Sequence, residues 1–131
     1  MGKSTELGRV RGLGSSHHGT LHWWRQRLTA FGNIILITWL VVALLRLPGL
    51  DYAMVRDWLH SPFVAVPMAL MVVNVFYHFR LGLQVVAEDY TSDEARFIAL
   101  ALIHVWTFAM GGLALFSILK VATATTMGAA A

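Results

Sequence analysis

Three stretches of this chain run for about twenty residues without a charged side chain, and little but a membrane-spanning fold can accommodate them. LTAFGNIILITWLVVALL lies between Arg27 and Arg46. SPFVAVPMALMVVNVFYHF lies between His60 and Arg80, and the apolar pattern then resumes as LGLQVVA. FIALALIHVWTFAMGGLALFSIL lies between Arg96 and Lys120. A helix in a soluble bundle shows a polar stripe every third or fourth position, and none of these runs does. The sequence therefore predicts an all-α membrane protein with three transmembrane helices, over about 28–47, 61–88 and 96–120. An amino-terminal segment, 1–27, precedes them and a short tail, 121–131, follows.

Composition agrees and narrows the chemistry. Only 13% of the 131 residues are charged, against about a quarter in soluble domains. With no cysteine the chain can hold neither thiolate-ligated clusters nor disulfides, so metal or haem ligation falls mainly to its six histidines. The basic excess is local: Lys3, Arg9, Arg11, Arg25 and Arg27 face one acid, Glu6, while Glu88, Asp89, Asp93 and Glu94 face Arg96. A net charge of +3 arranged this way gives no warrant for nucleic-acid binding. GRVRGLGSSHHG is too glycine-rich for the amphipathic helix of a transit peptide and has no apolar signal core, so it reads as mature protein.

Lysine and arginine near the helix ends set the direction of crossing. The five amino-terminal cations and Arg96 outweigh Arg46, Arg56 and Lys120, which predicts a cytoplasmic amino terminus and an external carboxyl terminus. Trp23, Trp24, Trp58 and Tyr90 fall near the predicted interfaces, where amphipathic rings are favoured. Pro62 suits the first turn of the second helix, whereas Pro67 lies inside it and could kink it. No internal repeat is visible, and ATATTMGAAA reads as a frayed end.

The second helix carries the chemistry. At 100° per residue, Met71, Asn74, Val75, His78, Gly82, Val85 and Asp89 share one face. An imidazole there can ligate a flat metal macrocycle, and a glycine one turn away lets the ring approach the backbone. A plainer reading also stands: His78 and Asn74 hydrogen-bond across a helix–helix contact. Asp89 lies eleven residues beyond His78, or about 16 Å along the axis. With His78 in the bilayer, Asp89 and Tyr90 would meet the cytoplasmic interface, where Tyr90 also reads as an ordinary interfacial aromatic. Arg80 points almost opposite to His78; it could snorkel or pair with Asp89 or Asp93.

HFRLGLQVVAEDY, with H-x3-G and a D-Y pair eleven residues after the histidine, resembles the second helix of succinate dehydrogenase hydrophobic membrane anchor subunits, the D type. HWWRQRLTA, with arginine followed by x-T-A, is similar to that family's approach to its first helix. The resemblance covers about residues 20–120 and implies a non-catalytic anchor in the bacterial inner membrane. It implies that this chain and a C-type second anchor subunit form a haem-holding helical bundle. The pair would hold the flavoprotein and iron–sulfur subunits to the membrane and shape a ubiquinone pocket. By the same resemblance His78 would be one axial ligand of a shared haem b, the other coming from the partner anchor. Tyr90 would hydrogen-bond a ubiquinone carbonyl, with Asp89 orienting it or delivering protons. Arg27, and His22 with it, would lie near a haem propionate, or Arg27 at the quinone entrance. Gln84 sits slightly off the family's spacing and receives no role.

Other signals weigh less. His104 in LIHVW lacks the downstream glycine and D-Y ending and reads as a packing or hydrogen-bonding residue beside Thr107. His18 and His22 are spaced for zinc only if helical, and no third ligand offers itself. GLGSSH lacks the strand and third glycine of a dinucleotide loop, and Gly111–Gly112 reads as a close-packing spot. No nucleophile–base pair suggests catalysis by this chain alone. The rival functions are a haem anchor of another oxidoreductase, such as fumarate reductase, and a cofactor-free membrane scaffold.

Overall fold

The structure is a computed structural model that describes residues 19–124 together with Leu7, Val10 and Arg11. Its helices are α1 (Gly19–Leu45), α2 (Tyr52–His60), α3 (Pro62–Tyr90) and α4 (Asp93–Thr123), and among the described residues there is no strand. Three of them are long and apolar enough to cross a membrane: Thr20–Leu45, Pro62–Tyr90 and Glu94–Thr123.

The helices and the predicted spans have different limits, and α1 ends at Leu45, short of residue 47. α1 starts at Gly19, more than two turns before residue 28, because helix propagation is cheap once the apolar span is helical and TLHWWRQR contains no breaker. α4 continues to Thr123, into the expected tail. In the amino-terminal stretch Leu7 and Val10 are helical and the Arg11 N–H donates to the Leu7 carbonyl at 3.1 Å. The remainder of that stretch, His18 included, and the end of the tail lie outside the described residues.

α2 is a helix that the apolar runs do not announce. The Asp51 carboxylate caps its start by accepting the Met54 N–H at 3.3 Å. Ser61 ends it and also begins α3, because Pro62 forces the residue before it out of the helical region; Ser61 sits at φ −69°, ψ 125°. Pro62 occupies the first turn of α3 as expected, and the helix continues through Pro67. The end of α2 reaches α4, with His60 Nδ1 3.3 Å from the Ala122 carbonyl oxygen.

α3 is the central element. It packs against α1 on one flank and α4 on the other, and α1 and α4 do not touch among the described residues. The arrangement is flat, with little interior: Val64, Leu81 and Ala87 are its buried apolar residues, while Thr29 and Thr107 are buried on the two flanks of α3. Large apolar side chains such as Ile34, Phe79, Val105 and Phe116 point outward. Lipid is as apolar as they are, so polar contacts and close helix approach set the packing instead.

Candidate site on the second span

The α1–α3 contact is a polar seam. The Asn74 amide nitrogen donates to the Thr29 carbonyl at 2.8 Å and to Asn33 Oδ1 at 2.7 Å. Gly32 makes this possible: a Cβ there would stand 2.9 Å from Asn74 Nδ2. One turn along α3, His78 Nδ1 lies 2.9 Å from Thr29 Oγ1. These pairs fix an antiparallel register that also brings Gln26 beside Gly82, where a Cβ would meet Gln26 Nε2 at 3.6 Å. Asn74, His78 and Gly82 thus share the α1-facing side, as the sequence periodicity predicts.

The bonding at Thr29 decides which histidine nitrogen remains available. Thr29 Oγ1 lies 2.8 Å from the Arg25 carbonyl oxygen and 3.1 Å from that of Gln26. Its single hydrogen goes to these carbonyls, so the hydroxyl oxygen accepts from His78 Nδ1–H. That tautomer leaves the lone pair on Nε2, which has no hydrogen-bond partner among the described residues and is not a buried atom. The ring is half-buried, held at one nitrogen and open at the other. Metal-ligating histidines are commonly oriented in this way by a bond to the second ring nitrogen. The helix–helix contact expected of His78 and Asn74 is therefore present, and at His78 it uses only one nitrogen.

Other candidate residues divide between the seam and the outer surface. His22 is helical and lies two turns before Thr29 on the same face of α1; its Nε2 is buried without a partner, as is Gln26 Oε1. Arg27 lies on the outer flank of α1, its guanidinium carbon 5.1 Å from the Trp23 ring centroid. The seam register puts it level with Arg80, so it is near His78 in depth but faces away from it. Asp89 and Tyr90 close α3, both exposed, with Tyr90 85% exposed and neither bonded to a described residue. Arg80 faces α4 and makes no ion pair with Asp89; its guanidinium lies 5.9 Å from the Tyr77 ring. Gln84 donates to Glu88 Oε1 at 2.8 Å. His104 Nδ1 is bonded to the Leu100 carbonyl at 2.7 Å, while Thr107 donates to the Ile103 carbonyl and not to His104. No three His, Cys, Asp or Glu side chains converge among the described residues, so these alone build no shell for a lone ion. Thr29 is the site residue that sequence reasoning passed over, although it stands inside the quoted R-x-T-A.

Comparison with known proteins decides the family. The succinate dehydrogenase/fumarate reductase transmembrane subunit family matches residues 1–114. The chain belongs to this family. Among curated relatives, it is similar to the succinate dehydrogenase hydrophobic membrane anchor subunit of Rickettsia bellii, 33% identical over 87 residues, covering 66% of this chain and 70% of the relative. The subunit of the same name from Paracoccus denitrificans is 26% identical over 111 residues, 85% and 86% of the two chains. That of Rickettsia conorii is 34% identical over 88 residues, 66% and 70%. No solved structure matches. Within this transmembrane-subunit family, three long apolar helices make the chain a multi-pass membrane protein.

Proposed function

We propose that this chain is the D-type membrane anchor of a succinate:ubiquinone oxidoreductase in a bacterial inner membrane, with its amino terminus cytoplasmic. The family includes fumarate reductase subunits, but the similar curated proteins are all named for succinate dehydrogenase, which favours that enzyme over the fumarate reductase alternative. A second anchor, an iron–sulfur subunit and a flavoprotein subunit complete the complex. The observation that carries the reading is the held imidazole of His78: Nδ1 bonded to Thr29, Nε2 open.

That donor arrangement fits a haem b. His78 Nε2 would be one axial ligand, with Thr29 fixing ring plane and tautomer and Gly82 keeping the next turn of α3 low. The second ligand would come from the partner anchor. A bis-histidine haem is coordinatively closed and supplies electron transfer or redox poise without binding oxygen. His22, with a buried unpartnered Nε2 on the seam, suits a propionate contact. Arg27 would reach a propionate, or the quinone entrance, from the outer flank of α1.

Ubiquinone would bind at the other end of α3. The Tyr90 hydroxyl donates to a quinone carbonyl oxygen, and the Asp89 carboxylate beside it accepts protons from water at the membrane surface and passes them on. Both side chains are open on this chain, so the remaining walls of the pocket come from the partner subunits. The chain binds and positions; succinate oxidation belongs to the flavoprotein. Co-purification under mild detergent tests the whole reading. Recovery of a flavoprotein and an iron–sulfur subunit with a b-type haem is expected. Recovery of the chain with neither soluble subunit contradicts it.

A further inference from the structure

The valley between α3 and α4 has a charged end and an apolar end. It forms a groove of about 400 Å³. Arg80 and Tyr77 of α3 and Thr107 of α4 line one end, and Val73 and Leu115 line the other, about 10 Å away along the helices. Gly111 and Gly112 lie between them. Gly111 is consumed by this chain's own packing, since a Cβ there would lie 3.4 Å from the Phe76 ring. Gly112 is not: a Cβ there would meet nothing within 4 Å. The apolar length of the groove is therefore open to a molecule from outside the chain.

The two ends lie at different depths. The α1–α3 register puts Arg80 level with Arg27, the last charge before the charge-free run of α1. The same register puts Val73 well inside that run. Arg80 is half-buried, and a long cationic side chain at that level reaches the headgroup layer while its stem lies on apolar surface. No acid lines the groove, and the Tyr77 hydroxyl adds a second donor beside the guanidinium, whose carbon lies 5.9 Å from the Tyr77 ring centroid. One end is thus positive and rich in donors, and the remainder is apolar. Basic pockets between membrane helices take anionic lipid headgroups. A zwitterionic headgroup would bring a cation of its own towards Arg80, and a quinone carries no charge to meet it. The complementary occupant is an anionic amphiphile.

We infer that the α3–α4 groove is a binding site for one anionic phospholipid, with its phosphate on Arg80 and Tyr77 and an acyl chain laid over Gly112 towards Leu115. The site goes beyond the anchor reading and needs neither haem nor quinone.

The test uses the complex in which the chain is isolated, reconstituted into nanodiscs of equal parts phosphatidylglycerol and phosphatidylcholine and released for native mass spectrometry. Phosphatidylglycerol should stay bound in preference to phosphatidylcholine. Arg80→Gln should lower its retention about fivefold, the worth of one basic side chain at an anionic surface. Arg80→Lys keeps the charge and should hold retention close to the parent. Gly112→Leu fills the apolar length at a position where a Cβ meets nothing, so retention should fall with Arg80 intact. A photo-crosslinking benzoylphenylalanine in place of the outward Phe108, 70% exposed, should label phospholipid. Equal retention of the two lipids by the parent overturns the inference. So does retention unaltered by Arg80→Gln or by Gly112→Leu, or equal loss in Arg80→Lys and Arg80→Gln. Adducts at position 108 to protein alone, whether another subunit or a second copy, overturn it too. None of these results touches the anchor reading, which stands or falls on the co-purifying subunits and haem.

Discussion

Thr29 is the residue on which the geometry at His78 turns. Its hydroxyl is buried, bonded to its own helix and to the imidazole, so replacing it changes the ring's orientation without deleting the ligand. Thr29→Val keeps shape and removes the acceptor; the haem should remain, with a shifted midpoint potential and altered b-type spectrum, since losing such a supporting bond typically costs about 10–100-fold in metal affinity. A titration indistinguishable from the parent would remove Thr29 from the account. Tyr90 belongs to the same scale. Tyr90→Phe deletes one hydroxyl from an exposed ring, so quinone-linked activity should fall up to about tenfold, the worth of one hydrogen bond. Succinate oxidation by an artificial acceptor should be unchanged. Equal loss of both would indicate misassembly. The shared α1-facing side of Asn74, His78 and Gly82 was legible because their spacing lies within one helix. Thr29 as partner of His78 was not, because it is 49 positions away and only the α1–α3 register brings it there.

At the scale of the element, charge-free length was enough to find the three spans. Their ends were harder. Nothing in the apolar pattern marks how far a helix continues beyond its charge-free run, and α1 continues back through TLHWWRQR to Gly19. α2 escaped because nine residues are too few for periodicity to speak, although Asp51 and the Ser61–Pro62 pair are capping and stop signals in plain view. The α1–α3 contact is set by Gly32 and Asn74, neither of which reads as special alone. Gly32→Ala puts a methyl 2.9 Å from the Asn74 amide nitrogen and should displace it from both partners. Asn74→Ala deletes the same bonds directly. Each should destabilise the α1–α3 pair by about 0.6–2 kcal/mol, as interhelical hydrogen bonds in membranes do. Thermal inactivation of the purified complex reads this, and unchanged inactivation temperatures for both variants would deny the seam its structural part.

The whole molecule is a flat set of helices around α3 with polar side chains on both of its flanks and scarcely any interior. On the His78 flank one imidazole nitrogen is left open. Expressed without partners, it should be extractable only as a poorly dispersed, protease-sensitive species, with analytical ultracentrifugation of the detergent extract as the check; a monodisperse, protease-resistant monomer would speak against obligate association. The proposed function rests on His78 offering Nε2 to a shared haem. The direct measurement is the reduced-minus-oxidised optical spectrum of the intact complex carrying His78→Ala. Loss or gross perturbation of the b-type bands, with the soluble subunits still able to oxidise succinate, is the expected result. An unaltered spectrum and midpoint potential would show that the imidazole serves only to hold α1 against α3.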